Sequence, residues 1–346
     1  MATFKKENSL YYNDVVLLSK IGVLKHRRDV PNEKYRILAA PMAAVVGKTF
    51  VRAAAKCDIS VCLHRFQPFE NQMEQLSDFY NEKNSISFNG KNECFVAVGL
   101  SDLKKTKNEL SLLKTIGHEY VCLDIANAYL PQIADFANIL KEINYKPNLM
   151  IGNIHTKQGV QYLYSLFESI TQSLNIRVGI GGGSPCITAS STGINRGNIT
   201  EIVECSEEKF LLERDIPINI IADGGIKDAS YACKAFAAGA DYVCMGGFFM
   251  NAVEAESNLS GDGSYWGGAS EKQMKLSGID VDKKHPEGKL IEKDPNRKLI
   301  SLSKLINNLW GGVASYVTYS GTKSLSEAIG NGSFEIKQNS LPPKNR

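Results

Sequence analysis

The chain has 346 residues, of which 43% are hydrophobic and 22% are charged, the composition of an ordinary globular enzyme. Forty basic and 37 acidic residues are interleaved and leave a formal net charge of +3, so the charge pattern argues against binding to nucleic acid or to an anionic membrane. The first residues lack the apolar run of a signal peptide, and no window of the sequence has the length and hydropathy of a membrane span. We therefore expect a cytoplasmic protein.

Short β-branched runs recur along the chain with amphipathic segments between them, the pattern of repeated βα units around a parallel sheet. Their continuous hydrophobicity suits strands that are buried on both faces. The eight predicted strands are residues 36–41, 59–63, 94–98, 120–125, 148–152, 175–179, 218–222 and 242–245. We expect an α/β fold, a (β/α)₈ TIM barrel, with a doubly wound open sheet as the alternative that eight parallel strands do not exclude.

The βα rhythm breaks at about residues 252–298, which are rich in Gly, Ser, Asp and Lys. A long irregular insertion near the end of a barrel is usually a functional lid or a disordered surface loop. We expect a single catalytic domain over residues 1–346, with a mobile flap at 252–298 and a polar, disordered tail at about 337–346.

Two glycine pairs follow predicted strands, Gly224 with Gly225 and Gly246 with Gly247, about twenty residues apart. Glycine allows backbone N–H groups to approach a phosphate closely, and the loops after strands seven and eight are the usual phosphate site of a TIM barrel. Asp223, directly before the first pair, is placed to accept hydrogen bonds from ribose hydroxyls. The alternative for each pair alone is a tight turn without a ligand; together the two pairs favour phosphate binding.

Eight cysteines are scattered singly, without CxxC pairs, which fits reduced thiols better than disulfides or structural zinc. Most lie in apolar stretches and are interpreted as small buried hydrophobes. Cys186 differs, because it follows a loop with four glycines in five residues, 179–183. A thiolate there could add to an electrophilic ring carbon and form a covalent intermediate. Carbonyl groups of the same loop, at Gly181, Gly183 and Cys186, are candidate ligands of a monovalent cation such as K⁺.

An ordered series of motifs resembles the family of IMP dehydrogenase and GMP reductase over nearly the whole chain. The motifs are residues 12–18, 24–30, 40–42, 64–66, 124–127, 152–153, 179–188, 223–225, 245–247, 265–268, 287–289, 311–312 and 318–319. The resemblance implies a barrel, typically a homotetramer, that binds a purine nucleotide through a catalytic cysteine and uses a nicotinamide cofactor.

Two features separate the branches of this family. Dehydrogenases commonly carry a regulatory insertion after the second strand, but only about thirty residues lie between His64 and Cys94. Their flap also carries an Arg that activates water, and no Arg occurs between Gly247 and Arg297. The resemblance therefore points to the reductase, which converts GMP and NADPH to IMP, ammonia and NADP⁺.

By resemblance, Cys186 adds to purine C2, and Thr188 with Glu287 protonates the 2-amino group so that it leaves as ammonia. Substrate contacts carry over to Ser184, Asp223, Gly224, Gly225, Gly246, Gly247, Gly268, Ala269, Ser270 and Met42. Cofactor contacts carry over to Asp124, Ala126, Asn127, Gly152, Asn153, Arg65, His26, Arg27 and Lys284. His26 and Arg27 match a position that reductases use from a neighbouring subunit, where a basic side chain meets the 2′-phosphate of NADPH.

The sequence departs from the family pattern near the expected base site. Ala43 and Ala44 stand where the family has Asp-Thr, and the flap reads Trp266-Gly-Gly-Ala-Ser270 where reductases have Tyr-Gly-Met-Ser. Lys284 replaces an Arg, and Pro185 replaces a small apolar residue. Three alternatives to GMP reduction stay open: a reductase for a deoxy or modified 2-aminopurine nucleotide, an IMP dehydrogenase without its regulatory module, and a non-catalytic nucleotide-binding protein.

Overall fold

The computed structural model describes residues 9–85, 90–212, 214–278, 280 and 286–337. Eight parallel strands close into a barrel, in which each strand pairs with the next along the chain and the last pairs with the first. This confirms the barrel and excludes the open sheet. The barrel strands are β2 (Ile37–Ala39), β3 (Ser60–Cys62), β4 (Cys94–Val98), β5 (Tyr120–Asp124), β6 (Asn148–Ile154), β7 (Ser173–Val178), β8 (Ile218–Asp223) and β9 (Tyr242–Met245).

Helices follow the strands and surround the barrel, as expected for right-handed βα units. The helices of the eight units are α1 (Lys48–Lys56), α2 (Phe69–Ser85), α3 (Leu103–Thr115), α4 (Ile133–Glu142), α5 (Lys157–Phe167), α7 (Asn198–Leu212), α8 (Ala229–Ala237) and α11 (Leu302–Tyr319). Four shorter helices are α6 (Thr188–Thr192), α9 (Glu256–Leu259), α10 (Glu271–Leu276) and α12 (Leu325–Ala328). Within the described part of the chain, no helix combines the length and hydropathy needed to cross a membrane.

Small side chains fill the interior of the barrel. Cys62, Cys122 and Cys244 belong to this interior cluster, together with alanines and larger residues such as Phe95 and Met150. All eight cysteines are free, and those other than Cys57 and Cys186 are buried. Small thiols and methyl groups leave room for the larger residues in so narrow a space, so these cysteines pack as the sequence predicts.

Two antiparallel strand pairs lie outside the barrel. Strands β1 (Val15–Leu17) and β12 (Phe334–Ile336) pair with each other, as do β10 (Tyr265–Trp266) and β11 (Leu290–Ile291). The second pair lies in the predicted flap, which begins and ends where Ala252 pairs with Ile300. Because its two ends meet, the flap is an insertion between β9 and α11 that leaves the order of the βα units unchanged. The predicted tail lies outside the described residues, apart from Lys337.

Candidate functional site

Strand register aligns polar residues at the carboxyl end of the barrel. Asp124 of β5 lies opposite Gly152 of β6, and Gly152 lies opposite Arg177 of β7. A Cβ atom at position 152 would lie 2.5 Å from the Cβ of Arg177, so a larger residue would displace that side chain. Glycine at the middle strand therefore allows Arg177 to reach across to Asp124.

Arg177 joins two carboxylates at the mouth of the barrel. Its Nη1 lies 2.9 Å from Oδ1 of Asp124, and its Nη2 lies 2.8 Å from Oδ2 of Asp223. The side-chain amide of Asn153 donates to the same Oδ2 of Asp223 at 2.9 Å and to the carbonyl of Gly179 at 2.8 Å. Arg65 donates to the carbonyl of Asp124 at 3.1 Å. Four of the predicted binding residues, Arg65, Asp124, Asn153 and Asp223, are thus held in one network.

Burial alone would lower the pKa of Arg177, but Asp223 and Asp124 outweigh it and hold that pKa well above its ordinary value. The guanidinium is therefore a permanent cation between two acidic groups. Its planar shape allows Nε and Nη2 to contact one oxygen of Asp223, Oδ2, while Nη1 reaches Asp124.

The Cys186 loop presents its thiol beside a hydroxyl. Cys186 is half-buried, and its Sγ donates to Oγ1 of Thr188 at 3.1 Å. Its backbone N–H donates to the carbonyl of Gly183 at 3.0 Å, which closes the turn that carries the thiol. Thr188 begins helix α6, so the turn and the helix together fix both side chains. Two of the three predicted catalytic residues are therefore in contact.

The flap brings the third predicted catalytic residue to the same loop. The carbonyl of Glu287 accepts from the N–H of Ile187 at 3.0 Å, and the N–H of Glu287 donates to the carbonyl of Ala269 at 3.0 Å. Gly288 pairs with both Cys186 and Ser270. Residues 287–288 therefore lie between the Cys186 loop and the segment predicted to contact the base, and the carboxyl of Glu287 is exposed.

The two glycine loops touch backbone to backbone. A Cβ atom at Gly224 would lie 2.9 Å from the carbonyl carbon of Gly182, and one at Gly179 would lie 1.9 Å from the carbonyl oxygen of Asp223. Both positions also have positive φ angles, +96° and +142°. Only glycine satisfies both conditions, and the contact holds the Cys186 loop against the predicted ribose and phosphate residues.

Met42 and Tyr265 cover the second glycine pair. The hydroxyl of Tyr265 donates to Sδ of Met42 at 3.2 Å, and a Cβ at Gly246 would lie 2.5 Å from that sulfur and 2.6 Å from the hydroxyl oxygen. Gly247 lies beside the same tyrosine ring. The predicted substrate residue Met42 is therefore held over the predicted phosphate loop by a flap residue.

Other predicted binding residues lie at the edge of this site. Ala126 and Asn127 are exposed in the loop after β5, and Ser184 is exposed in the Cys186 loop. Ser270 is buried, and its hydroxyl caps helix α10 by accepting from the N–H of Gln273 at 3.2 Å. Its side chain thus has a structural contact in addition to any contact with a base.

Two of the predicted cofactor residues lie on the outer surface of the barrel. His26 and Arg27 are exposed in a segment that packs against α11. Their assignment to the cofactor stays a prediction. Lys284 lies outside the described residues.

The sequence of motifs and the barrel agree with one known family model, described as the IMP dehydrogenase / GMP reductase domain, which matches residues 15–340. The chain belongs to this family. Its members include a GMP reductase of Onchocerca volvulus, 27% identical over 96% of this chain and 92% of that protein. A GMP reductase of Caenorhabditis elegans is also 27% identical, over 96% and 93%, and GMP reductase 2 of Mus musculus is 28% identical over 92% and 91%.

Arg177 is a site residue of this IMP dehydrogenase / GMP reductase domain that was not predicted from the sequence. It lies inside a predicted strand, where a single charged residue resembles an interruption of the apolar run. Asp124 and Asp223, at the carboxyl ends of β5 and β8, are the signal that would have found it, since a cation between two carboxylates relieves their mutual repulsion.

A second residue that sequence reading missed is Glu201, in the first turn of α7. It is 1% exposed, and its Oε2 lacks a hydrogen-bond partner within the described part of the chain. Asn198 lies 3.4 Å from its Oε1 and also lies against Gly182. Burial, with a smaller effect from Asp223, raises the pKa of Glu201 well above its ordinary value, although Arg196 opposes the shift.

Replacing Glu201 with Gln is expected to stabilise this domain at neutral pH. Between the ordinary pKa of 4.5 and the raised value, the folded chain holds a proton that the unfolded chain has released. The stability of the natural chain relative to Glu201→Gln therefore falls as pH rises, by up to about 1.4 kcal/mol for each pH unit in that window. Urea unfolding of both proteins at pH 4.5, 6 and 7.5 measures the difference.

Glu207→Gln is the matched control, because Glu207 is exposed on the same helix. It is expected to show the pH dependence of the natural chain. A Glu201→Gln protein whose stability tracks the natural chain at all three pH values would contradict a buried, protonated Glu201.

A separate cleft of about 580 Å³ opens at the amino ends of β4 and β5. Its polar groups pair with one another, since Glu93 accepts from Tyr80 at 3.0 Å and lies 3.2 Å from Nζ of Lys83. This end of a TIM barrel contributes to stability rather than to catalysis. Elsewhere too, the described residues contain no cluster of three or more His, Cys, Asp and Glu side chains suited to a metal ion.

Proposed function

We propose that this chain is an oxidoreductase that removes the 2-amino group of a guanine nucleotide, converting GMP and NADPH to IMP, ammonia and NADP⁺. The observation that carries the proposal is the meeting of Cys186, Thr188 and the Glu287 segment at one loop. Relatives named GMP reductase match over nearly the whole chain and support the same assignment.

In this proposal the thiolate of Cys186 forms a bond to purine C2 while the π bond between C2 and N3 opens and N3 takes up a proton; this π bond forms again as ammonia leaves. The hydroxyl of Thr188, coupled to the carboxyl of Glu287, delivers a proton to the 2-amino nitrogen, and the C–N bond breaks to release ammonia. Protonation is required because an amide-like anion is a very poor leaving group. After reduction at C2 the C–S bond breaks, which returns the thiolate and releases IMP.

The phosphate and ribose of the nucleotide are assigned to the two glycine loops, through Ser184, Asp223, Gly225, Gly246 and Gly247. Gly225 and Gly246 follow the adjacent strands β8 and β9, so their N–H groups belong to one edge of the barrel mouth. The base is assigned to residues 268–270, which the flap holds beside Cys186.

The residues around Arg177 fit a nicotinamide dinucleotide. Arg65 keeps about a third of its side chain exposed beside Asp124, so a cation remains available to a phosphate-bearing ligand. NADPH, when bound, supplies a hydride. Asp124, Asn153 and Arg65 would hold it, with Ala126, Asn127, Gly152 and Lys284 around it and with His26 and Arg27 contributed by a neighbouring subunit of a homotetramer.

A monovalent cation, K⁺, is part of the proposal. Carbonyl oxygens are suitable ligands for such an ion, and those of Gly181, Gly183 and Cys186 belong to one loop. The carbonyl of Gly183 has one hydrogen bond, from the N–H of Cys186, and a carbonyl oxygen carries two lone pairs.

We also assign the protein to the cytoplasm, in keeping with reduced thiols and a soluble metabolite as substrate.

A deoxy or modified 2-aminopurine nucleotide is the second candidate substrate. It is favoured by the base-contacting segment, where Gly268 has no side chain and Phe66 lies against it. The alternatives of an IMP dehydrogenase and of a silent nucleotide-binding protein are less well supported. No Arg occurs between Gly247 and Arg297, and the side chains of Cys186 and Thr188 are in contact beside the Glu287 backbone.

An assay with purified protein tests these proposals. NADPH is mixed with GMP, dGMP or another 2-aminopurine nucleotide, and the loss of absorbance of the reduced nicotinamide is followed together with ammonia release. We expect equal amounts of NADP⁺ and ammonia with one of these nucleotides. Reduction of NAD⁺ with IMP, faster than any of these reactions, would assign a dehydrogenase, and no turnover with any nucleotide would overturn the reductase.

A further inference from the structure

The ring of Phe66 packs against the flap at Gly268. A Cβ atom at position 268 would lie 2.5 Å from both Cε2 and Cζ of the ring. The φ angle of Gly268 is not positive, so other residues could adopt the backbone conformation at this position. What requires glycine at this position is the space that Phe66 occupies.

The other side of the same flap turn faces the nucleophile. Gly267 lies beside Pro185, with a Cβ at 267 reaching 3.7 Å from Cγ of the proline. Ala269 bonds to Glu287, whose neighbour Gly288 pairs with Cys186. The turn 267–269 therefore lies between Phe66 on one side and the Cys186 loop on the other.

Phe66 is itself held by the site. The guanidinium carbon of Arg65 lies 4.5 Å from the ring centroid, and Arg65 also bonds to Asp124. His64 lies nearly parallel to the ring, at 6.4 Å and 21°. His64 is buried, and its burial lowers its pKa to about 4, so the imidazole is neutral near pH 7. The ring is thus fixed between the Asp124 network and the flap.

We propose that Phe66 and Gly268 form a latch that holds the flap closed over Cys186, with Phe66 as a positioning residue for nucleotide binding. The latch joins the residues assigned to the cofactor with those assigned to the base. Its role in nucleotide binding rests on the proposed function, whereas its role in covering Cys186 does not.

The first experiment measures flap closure without turnover. The natural chain, Phe66→Ala and Gly268→Ala are treated briefly with iodoacetamide, and alkylation of each cysteine is followed by peptide mass spectrometry. We expect Cys186 to react roughly tenfold faster in both variants. Phe66→Ala removes packing that opposes local opening of the flap, and the added methyl group of Gly268→Ala clashes with the ring of Phe66 and separates the two surfaces. Cys57, the other half-buried thiol, is the internal control and keeps its rate.

Phe210→Ala is the control variant, because that ring is 76% exposed on α7 and lies in a different βα unit. It is expected to leave the alkylation of both thiols unchanged. Equal rates at Cys186 in the natural chain, Phe66→Ala and Gly268→Ala would overturn the latch.

A rescue variant distinguishes a specific latch from general loosening. Gly268→Met clashes with the ring of Phe66, but in Phe66→Ala the methionine side chain has the vacated space to fill. We expect the double variant to alkylate at Cys186 within about twofold of the natural chain, whereas each single variant is faster. If the two substitutions have additive effects on the alkylation rate of Cys186, the two positions do not pack directly against each other and the latch is contradicted.

The reductase assay then tests the link to binding. Phe66→Ala is expected to raise KM for the nucleotide about tenfold while kcat falls by much less, because a latch affects closure rather than the reacting atoms. Failure of the two proposals can be told apart. An inactive natural chain with accelerated alkylation in Phe66→Ala would remove only the proposed reaction, and an active natural chain with unchanged alkylation would remove only the latch.

Discussion

Replacement of Cys186 with alanine is expected to lower kcat by about 10³-fold or more, because no other group can form the covalent bond to the purine. The half-buried thiol lies 3.1 Å from the hydroxyl of Thr188, on a turn closed by the carbonyl of Gly183. The change removes one sulfur atom from a half-buried position and should leave the fold intact. Steady-state turnover of the nucleotide and thermal unfolding of the same preparation measure the two effects.

Cys57→Ala is the matched control, since Cys57 is the other half-buried thiol and lies at the end of α1. It is expected to keep the activity of the natural chain. Mass spectrometry of the natural chain after mixing with nucleotide alone should also detect an adduct at Cys186 that the alanine variant lacks. Full activity of Cys186→Ala would refute the covalent mechanism.

Replacement of Arg177 with methionine is expected to destabilise the folded chain by about 3–5 kcal/mol, the cost of leaving buried charges without their partner. Asp124 and Asp223 would then face each other at the barrel mouth without the cation that now lies 2.9 and 2.8 Å from them. Methionine keeps much of the volume, so lost packing contributes little. Urea unfolding near pH 7 measures the change.

Arg52→Met is the control, because Arg52 also pairs with a carboxylate, Glu82, but its side chain is 53% exposed. It is expected to change stability little, since water screens an exposed pair. The double change of Asp124 to Asn and Arg177 to Met should recover part of the lost stability by removing one unpaired charge. A protein with Arg177→Met that is as stable as the natural chain would show that the two carboxylates do not depend on it.

The barrel itself could be predicted because its strands are buried on both faces. An apolar run of four to seven residues between amphipathic segments marks such a strand wherever it lies along the chain. All eight predicted strands coincide with barrel strands, with ends that differ by a few residues. Strand β6 continues to Ile154 rather than ending at 152, because Ile154 still pairs with Val178 of β7, past a shift in the register at residue 153.

The glycine loops and Cys186 were recognisable from sequence for a different reason. A close approach of two backbones combined with a positive φ angle favours glycine over every other residue. The glycines that these turns require are therefore visible in the local sequence. Gly179 and Gly224, which lie against Asp223 and Gly182, are of this kind. A cysteine after such a loop is then conspicuous.

What the sequence by itself determined is therefore local: which segments are strands, which turns need glycine, and which thiol follows the glycine loop. Only the tertiary structure decided which distant residues meet. Arg177 binds acidic groups 53 and 46 positions away, and Phe66 packs on a glycine in the flap. The physical reason is that a strand or helix pattern reports the average burial of each residue, whereas charge pairing and steric fit depend on the register and closure of the barrel.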